Sequence, residues 1–138
     1  LPLLTAGALL HDIAKAATLG QGGNHAALGA EWLEQLGYPA VAEIIAQHVC
    51  LRQDPATLTT IGEVELVNYA DKRVRHTDIV TLAARFADLR QRYGKTSEAL
   101  RLIAANERRS RVLEEKIFQP LGFPPDDLPV LVQRRSKP

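Results

Sequence analysis

A chain of 138 residues with 46% hydrophobic and 24% charged residues has the size and balance of one globular domain, able to bury roughly two-thirds of its unfolded surface. A formal net charge of +1 gives no general pull towards nucleic acid or an anionic membrane. The single cysteine, Cys50, excludes an intrachain disulfide and fits a reducing, cytoplasmic setting, and no apolar run approaches the ~20 residues of a membrane span.

Leu1 to Leu10 is apolar, but it lacks the basic start of a signal peptide and runs straight into His11 and Asp12, so it reads as a core helix. The chain begins at Leu1 and contains no methionine, which leads us to expect that an upstream segment has been removed. Aromatic residues are only 5% of the chain, so aliphatic side chains and alanine must fill the core, a composition suited to close-packed helices. Apolar residues recur at helical rather than alternating spacing, which predicts a compact all-α domain of about six helices. The first covers about Leu3 to Ala17 and ends at Gly20-Gln21-Gly22-Gly23. Asn24 is a good N-cap for a second helix to Leu36; Gly37 stops it, and Pro39 opens a third to about Val49. Arg52 to Thr60, with Asp54-Pro55, reads as a loop. A fourth helix is expected over Gly62 to Arg75, a fifth over Ile79 to Tyr93 and, after Gly94 and a Thr96 or Ser97 cap, a sixth to about Phe118. The domain is thus expected over residues 1–118, with 119–138 as an irregular tail marked by Pro120, Pro124, Pro125 and Pro129.

Several polar groups sit on apolar stripes. Val41, Ile44, Ile45, His48 and Val49 share one face of the third helix, so His48 points at the core. Val64, Val67, Asp71 and Val74 do the same for Asp71, and a buried carboxylate is costly unless it is paired or metal-bound. A hydrogen-bonded core histidine and an internal salt bridge, to Arg73, to Arg75 or to a residue of another helix, are the structural alternatives. His11 and Asp12 flank the face of the first helix made by Leu4 and Ala8. His25, just after the N-cap Asn24, is at a surface position from which a side chain can also reach into a cleft. Together these are imidazoles and carboxylates on four successive helices, the ligand types of Zn, Fe, Mn and Ni sites. Cys50 and Trp32 are assigned to the core and His76 to the surface. The basic clusters Arg108-Arg109-Ser110-Arg111 and Arg134-Arg135-Ser136-Lys137 read as solvated faces or tail. Ala99, Ile103, Asn106, Ser110, Leu113 and Ile117 have heptad-like spacing on the sixth helix; their polar middle predicts packing on the helix's own domain, with a homodimer as the alternative.

Ala8-Leu9-Leu10-His11-Asp12-Ile13-Ala14-Lys15 resembles the signature of the HD superfamily, helical metal-dependent phosphohydrolases named for that His-Asp pair. Val67-Asn68-Tyr69-Ala70-Asp71-Lys72-Arg73-Val74 resembles the later helix that supplies the family's last Asp ligand, and His25 and His48 fall between, where two-metal members carry two further histidines. The resemblance implies that His11, Asp12 and Asp71 hold one divalent transition metal (Mn, Fe, Zn or Ni). It implies that His25 and His48 hold a second, with Asp12 as the bridge. The family's first ligand is a His upstream of the pair; none precedes His11 here, so that ligand is expected on the upstream segment.

The activity implied is hydrolysis of a phosphorylated small molecule, a nucleotide or other phosphate ester, by metal-activated water. Asp12 would help hold the water, and Lys15, one helical turn beyond His11, can reach the same face to neutralise phosphoryl charge. Arg52 and Arg73 are further phosphate candidates. The rival readings are a degenerate HD module that binds nucleotide or metal, or regulates a fused or partner enzyme, without hydrolysis, and a helical interaction domain.

Overall fold

The computed structural model describes residues 1–135. Among them are helices α1 (Pro2–Leu10), α2 (Lys15–Thr18), α3 (His25–Gln35), α4 (Pro39–Gln47), α5 (Glu63–Arg73), α6 (Leu82–Tyr93), α7 (Ser97–Phe118) and α8 (Leu128–Arg135). A two-residue antiparallel hairpin, β1 (Val74–Arg75) with β2 (Asp78–Ile79), separates α5 from α6. The fold is all-α, as expected. The chain forms two compact units: residues 1–54 with 58–71, and residues 55–57 with the chain from Lys72 on.

In the first unit, local signals set the helix ends. Asn24 Oδ1 accepts from the amides of Ala26 and Ala27 at 3.1 and 3.2 Å, satisfying two of the donors that every helix start leaves over. At the other end of α3, Gly37 takes φ +85°, a conformation that costs glycine little. The amides of Gly37 and Tyr38 then bond back to the carbonyls of Glu34 and Leu33 at 3.0 and 2.8 Å, closing a Schellman turn. Pro39 opens α4 at a position where its missing N–H costs nothing.

The predicted long first helix is instead two. It stops at Leu10, and the amides of Ile13 and Lys15 bond to the carbonyls of Leu10 and Asp12 at 3.0 and 2.9 Å, a tight i to i+3 turn. The turn buries Ala14 against α3, where Gly29 leaves room: a Cβ there would lie 3.2 Å from Ile13 Cγ2 and 3.7 Å from Ala14 Cβ. The inward face of α1 also differs from the expected one. Leu3, Ala6 and Leu10 pack on a core of Ala30, Leu33, Val41, Ala42 and Ile45, whereas Ala8 and Leu9 are exposed. Similarly α4 ends at Gln47, so Val49 leaves the apolar stripe and Cys50 is exposed rather than in the core.

In the second unit α6 packs on α7, burying Leu82, Phe86, Leu113, Ile117 and Phe118. The buried stripe of α7 (Ser110, Leu113 and Ile117) follows the expected heptad-like positions. Arg73 is 2% exposed and is held by Glu114 at 3.0 Å, the Val80 carbonyl at 2.6 Å and the Pro125 carbonyl at 3.0 Å. Those bonds offset the several kcal/mol that a buried, unpaired guanidinium would cost. The Pro-rich end is not irregular: Gln119–Leu121 and Pro125–Asp127 are 3₁₀ turns and α8 follows. Each proline of those turns occupies a first-turn position, where the ring's fixed φ suits helical backbone. The cluster Arg134-Arg135-Ser136-Lys137 lies outside the residues whose side chains are described.

Gly7 sets how closely α1 approaches α4, because a Cβ there would come within 2.7 Å of Ile44 Cγ2. Gly7→Val is therefore expected to lower stability by about 2 kcal/mol, the overpacking cost exceeding the helix-propensity gain. A urea midpoint equal to wild type would show that α1 can retreat without loss.

Candidate metal centre

Four segments of the first unit converge on the carboxylate of Asp12. Oδ1 faces His25 Nε2 at 3.2 Å and His48 Nε2 at 3.6 Å. Oδ2 faces Lys15 Nζ at 2.7 Å and His11 Nε2 at 3.6 Å. His11 Nε2 is in turn 3.5 Å from Asp71 Oδ1. The ring centroids of His11 and His25 stand 5.1 and 5.0 Å from that of His48. The structure thus brings together His11, Asp12, Lys15, His25, His48 and Asp71.

The helix ends aim these rings. His11 is the C-cap of α1 and His48 the C-cap of α4, positions beside carbonyls that lack an intrahelical partner. His11 Nδ1 bonds the Ala8 carbonyl at 2.8 Å, and His48 Nδ1 bonds the Ile45 carbonyl at 2.7 Å. A carbonyl only accepts, so each Nδ1 carries the proton and each neutral ring presents the Nε2 lone pair to the centre. A His whose other nitrogen is tied in this way is the usual metal-ligand arrangement. His25 opens α3 next to the Asn24 cap, which points its ring back at His48, Nε2 to Nε2 at 3.1 Å.

The donor set fits a divalent cation. Asp12, His25 and His48 each offer one atom, all within 4.8 Å of one another. Donors about 2.0–2.1 Å from a shared tetrahedral ion stand roughly 3.3 Å apart, and the three separations here are 3.1, 3.2 and 3.6 Å. Two imidazoles and a carboxylate suit Zn, Mn, Fe or Ni better than Ca or Mg.

The electrostatics separate the two capping histidines. The hydrogen bond to Asp71 raises His11 above its ordinary pKa, outweighing burial and aided by the Ala8 carbonyl. Burial dominates at His48, 1% exposed, and lowers its pKa although the Ile45 carbonyl favours the proton. For Asp12, burial favours the neutral acid, but Lys15 and His11 outweigh it and hold the pKa below the ordinary value.

Two phosphate candidates have other partners. Arg73, a phosphate candidate from sequence, is instead buried on Glu114, so its charge serves the packing of the second unit and not a phosphate. Arg52 Nη1 meets both oxygens of Glu43, at 2.6 and 2.7 Å. One polar residue was not singled out from the sequence: Asn68, 3% exposed, bonds the carbonyls of Gln47 and His48 at 2.7 and 3.0 Å. Its spacing of three residues from Asp71, on the same helical face, was the available signal.

Fold and site together define a helical domain with an imidazole–carboxylate centre of the kind that takes a divalent metal. The HD domain family matches residues 2–121, and the chain belongs to that family, whose members bind divalent metals and are generally hydrolases. No curated protein and no solved structure matches the chain. No helix among the described residues is long and apolar enough to cross a membrane.

The opposed shifts make the stability of the metal-free protein depend on pH from both sides of 6.5, the ordinary His value. A raised His11 contributes stability that is full below 6.5 and lost as pH rises through its folded pKa. A lowered His48 contributes stability present above 6.5 and lost as pH falls through its folded pKa. Chelator-treated protein should therefore melt highest near pH 6.5, and His11→Asn should flatten the alkaline limb, with a lesser change on the acid side, where the His11 charge helps to lower His48 and Asp12. An unchanged alkaline limb in that variant would contradict the assignment.

Proposed function

We propose that this chain is a metal-dependent phosphohydrolase acting on a nucleotide or another phosphate ester. The observation that carries the reading is the division of the Asp12 carboxylate, with one oxygen on His25 and His48 and the other on Lys15 and His11. A carboxylate so placed can serve two ligand sets at once. His25 and His48 would hold one divalent transition metal with Asp12 Oδ1, and His11 and Asp71 a second with Asp12 Oδ2. Bound there, such ions supply Lewis-acid stabilisation of phosphoryl charge and a water acidified to near-neutral pKa.

The chain's own residues supply the rest. Asp12, held ionised by Lys15, can accept a hydrogen bond from a water and orient it for in-line attack on phosphorus. Lys15 is 58% exposed, so its long side chain can swing from Asp12 to a phosphate oxygen that carries more charge. In doing so it would neutralise charge that grows during attack. His11 and His48, pinned through Nδ1, need no reorientation when ligand arrives, which keeps the site preorganised.

Two variants test this. Wild type loaded with Mn, Fe, Zn or Ni should retain about one or two ions per chain by mass spectrometry and release phosphate from nucleotides. Asp12→Ala should retain none and lose both properties while its circular dichroism stays helical. Lys15→Ala should retain the metal but lose roughly 10–100-fold in kcat/KM, the worth of one charged hydrogen bond. Metal retention without phosphate release by wild type would leave a binding or regulatory module instead. Full activity in Asp12→Ala would remove Asp12 from the mechanism.

A further inference from the structure

We propose that Asn68 is a positioning residue for the metal centre, holding the backbone of His48 at a set distance from Asp71. The inference rests on the metal-binding reading above and adds a role that no ligand has.

The argument starts from the end of α4. The last carbonyls of a helix have no intrahelical donor and must find one elsewhere if they are buried. Ile45 is served by the ring of His48 itself. Gln47 and His48 are both buried, and their carbonyls receive the two hydrogens of one amide, Asn68 Nδ2, at 2.7 and 3.0 Å. The His48 ring is thereby fixed twice. Its Nδ1 is tied to its own helix, and its main chain is tied to α5. Within α5, Asn68 lies three residues before Asp71, and residues at that spacing are neighbours on one helical face. The helix that brings Asp71 to His11 is therefore the helix that grips His48, and the Asn68 side chain ties the two halves of the site to each other.

Asparagine suits the task chemically. Two carbonyl acceptors side by side require two hydrogens from one nitrogen, which an amide offers and a carboxylate does not. The carboxamide is neutral, so its burial at 3% exposure adds no charge next to the imidazoles. Aspartate has the same shape but would set oxygen against oxygen. Alanine would leave two buried carbonyls without this donor, letting the end of α4 relax and His48 Nε2 drift from Asp12 and His25. Partners that orient a ligand from outside typically account for 10–100-fold in metal affinity.

The test is titration of the chelator-treated full chain with Co²⁺, followed by its visible ligand-field spectrum, for wild type, Asn68→Ala, Asn68→Asp and Asn68→Ser. Asn68→Ala and Asn68→Asp are expected to weaken Co²⁺ binding by about 10–100-fold and to alter the spectrum at saturation, because the donor geometry has changed. Asn68→Ser keeps one donor and should fall between them and wild type. A merely structural role would lower the melting temperature yet leave the saturated spectrum and affinity at wild-type values, and that result overturns the proposal. Should these variants fail to fold, the side-chain amide resonances of Asn68 in wild type decide it. They are expected to resist hydrogen exchange and to shift on Zn²⁺ binding; resonances unmoved across saturation overturn the proposal. Wild type that takes up no Co²⁺ or Zn²⁺ overturns the metal reading itself. Wild type that binds, with Asn68→Ala binding equally well, overturns the role of Asn68 alone.

Discussion

A half-buried carboxylate destabilises a fold unless opposite charge or hydrogen-bond donors surround it, and at Asp12 that compensation comes from well-separated parts of the first unit. Lys15 belongs to the next turn of chain, His25 to the start of α3 and His48 to the end of α4. The tight turn at Ile13 to Lys15 keeps Lys15 three residues from Asp12, a spacing at which helical side chains also meet, and sets its Nζ on the Asp12 oxygen. Gly29 and Ala14, small residues at the contact, allow that turn to seat against α3.

The centre is assembled largely from helix ends, and this has an electrostatic consequence. The C-termini of α1 and α4 both deliver a histidine there, and each carries the partial negative charge of a helix C-terminus. The N-terminus of α3, which delivers His25, brings the opposite sign. The balance, together with the carboxylates of Asp12 and Asp71, favours a cation. The same helix ends supply the carbonyls that fix the tautomers of His11 and His48. Groups left over by helix geometry are thus used to define ligand atoms, and Asn68 extends the pattern by serving the carbonyls of Gln47 and His48.

The second unit handles buried charge in a different way. Arg73, two residues past Asp71, is removed from solvent and saturated by Glu114 and two carbonyls. From sequence it looked like Arg52 or Lys15, a basic residue close to a ligand. The packing of the C-terminal segment supplies Glu114 as its partner. Lys15, by contrast, pairs with Asp12 while staying exposed.

Sequence alone determined the helical class, the caps at Asn24, Gly37 and Pro39, and the residues His11, Asp12, Lys15, His25, His48 and Asp71 that the structure gathers; it left the cap of α7 open between Thr96 and Ser97 and did not single out Asn68. What it determined depends on short-range physics: backbone donors near a cap, the φ open to glycine, and the 3.6-residue period that places His48 and Asp71 on apolar faces. The family signature added the order of the ligands. Tertiary structure alone decided which face of α1 turns inward, because Leu3, Ala6 and Leu10 pack on the core around Val41, Ala42 and Ile45 while Ala8 is exposed. It alone decided that Val49 and Cys50 leave the core and that Arg73 is buried. It alone showed that one oxygen of Asp12 faces His25 and His48 while the other faces Lys15 and His11. Those outcomes turn on where a helix stops and on which surface it then meets, and both are settled by contacts between residues far apart in the chain.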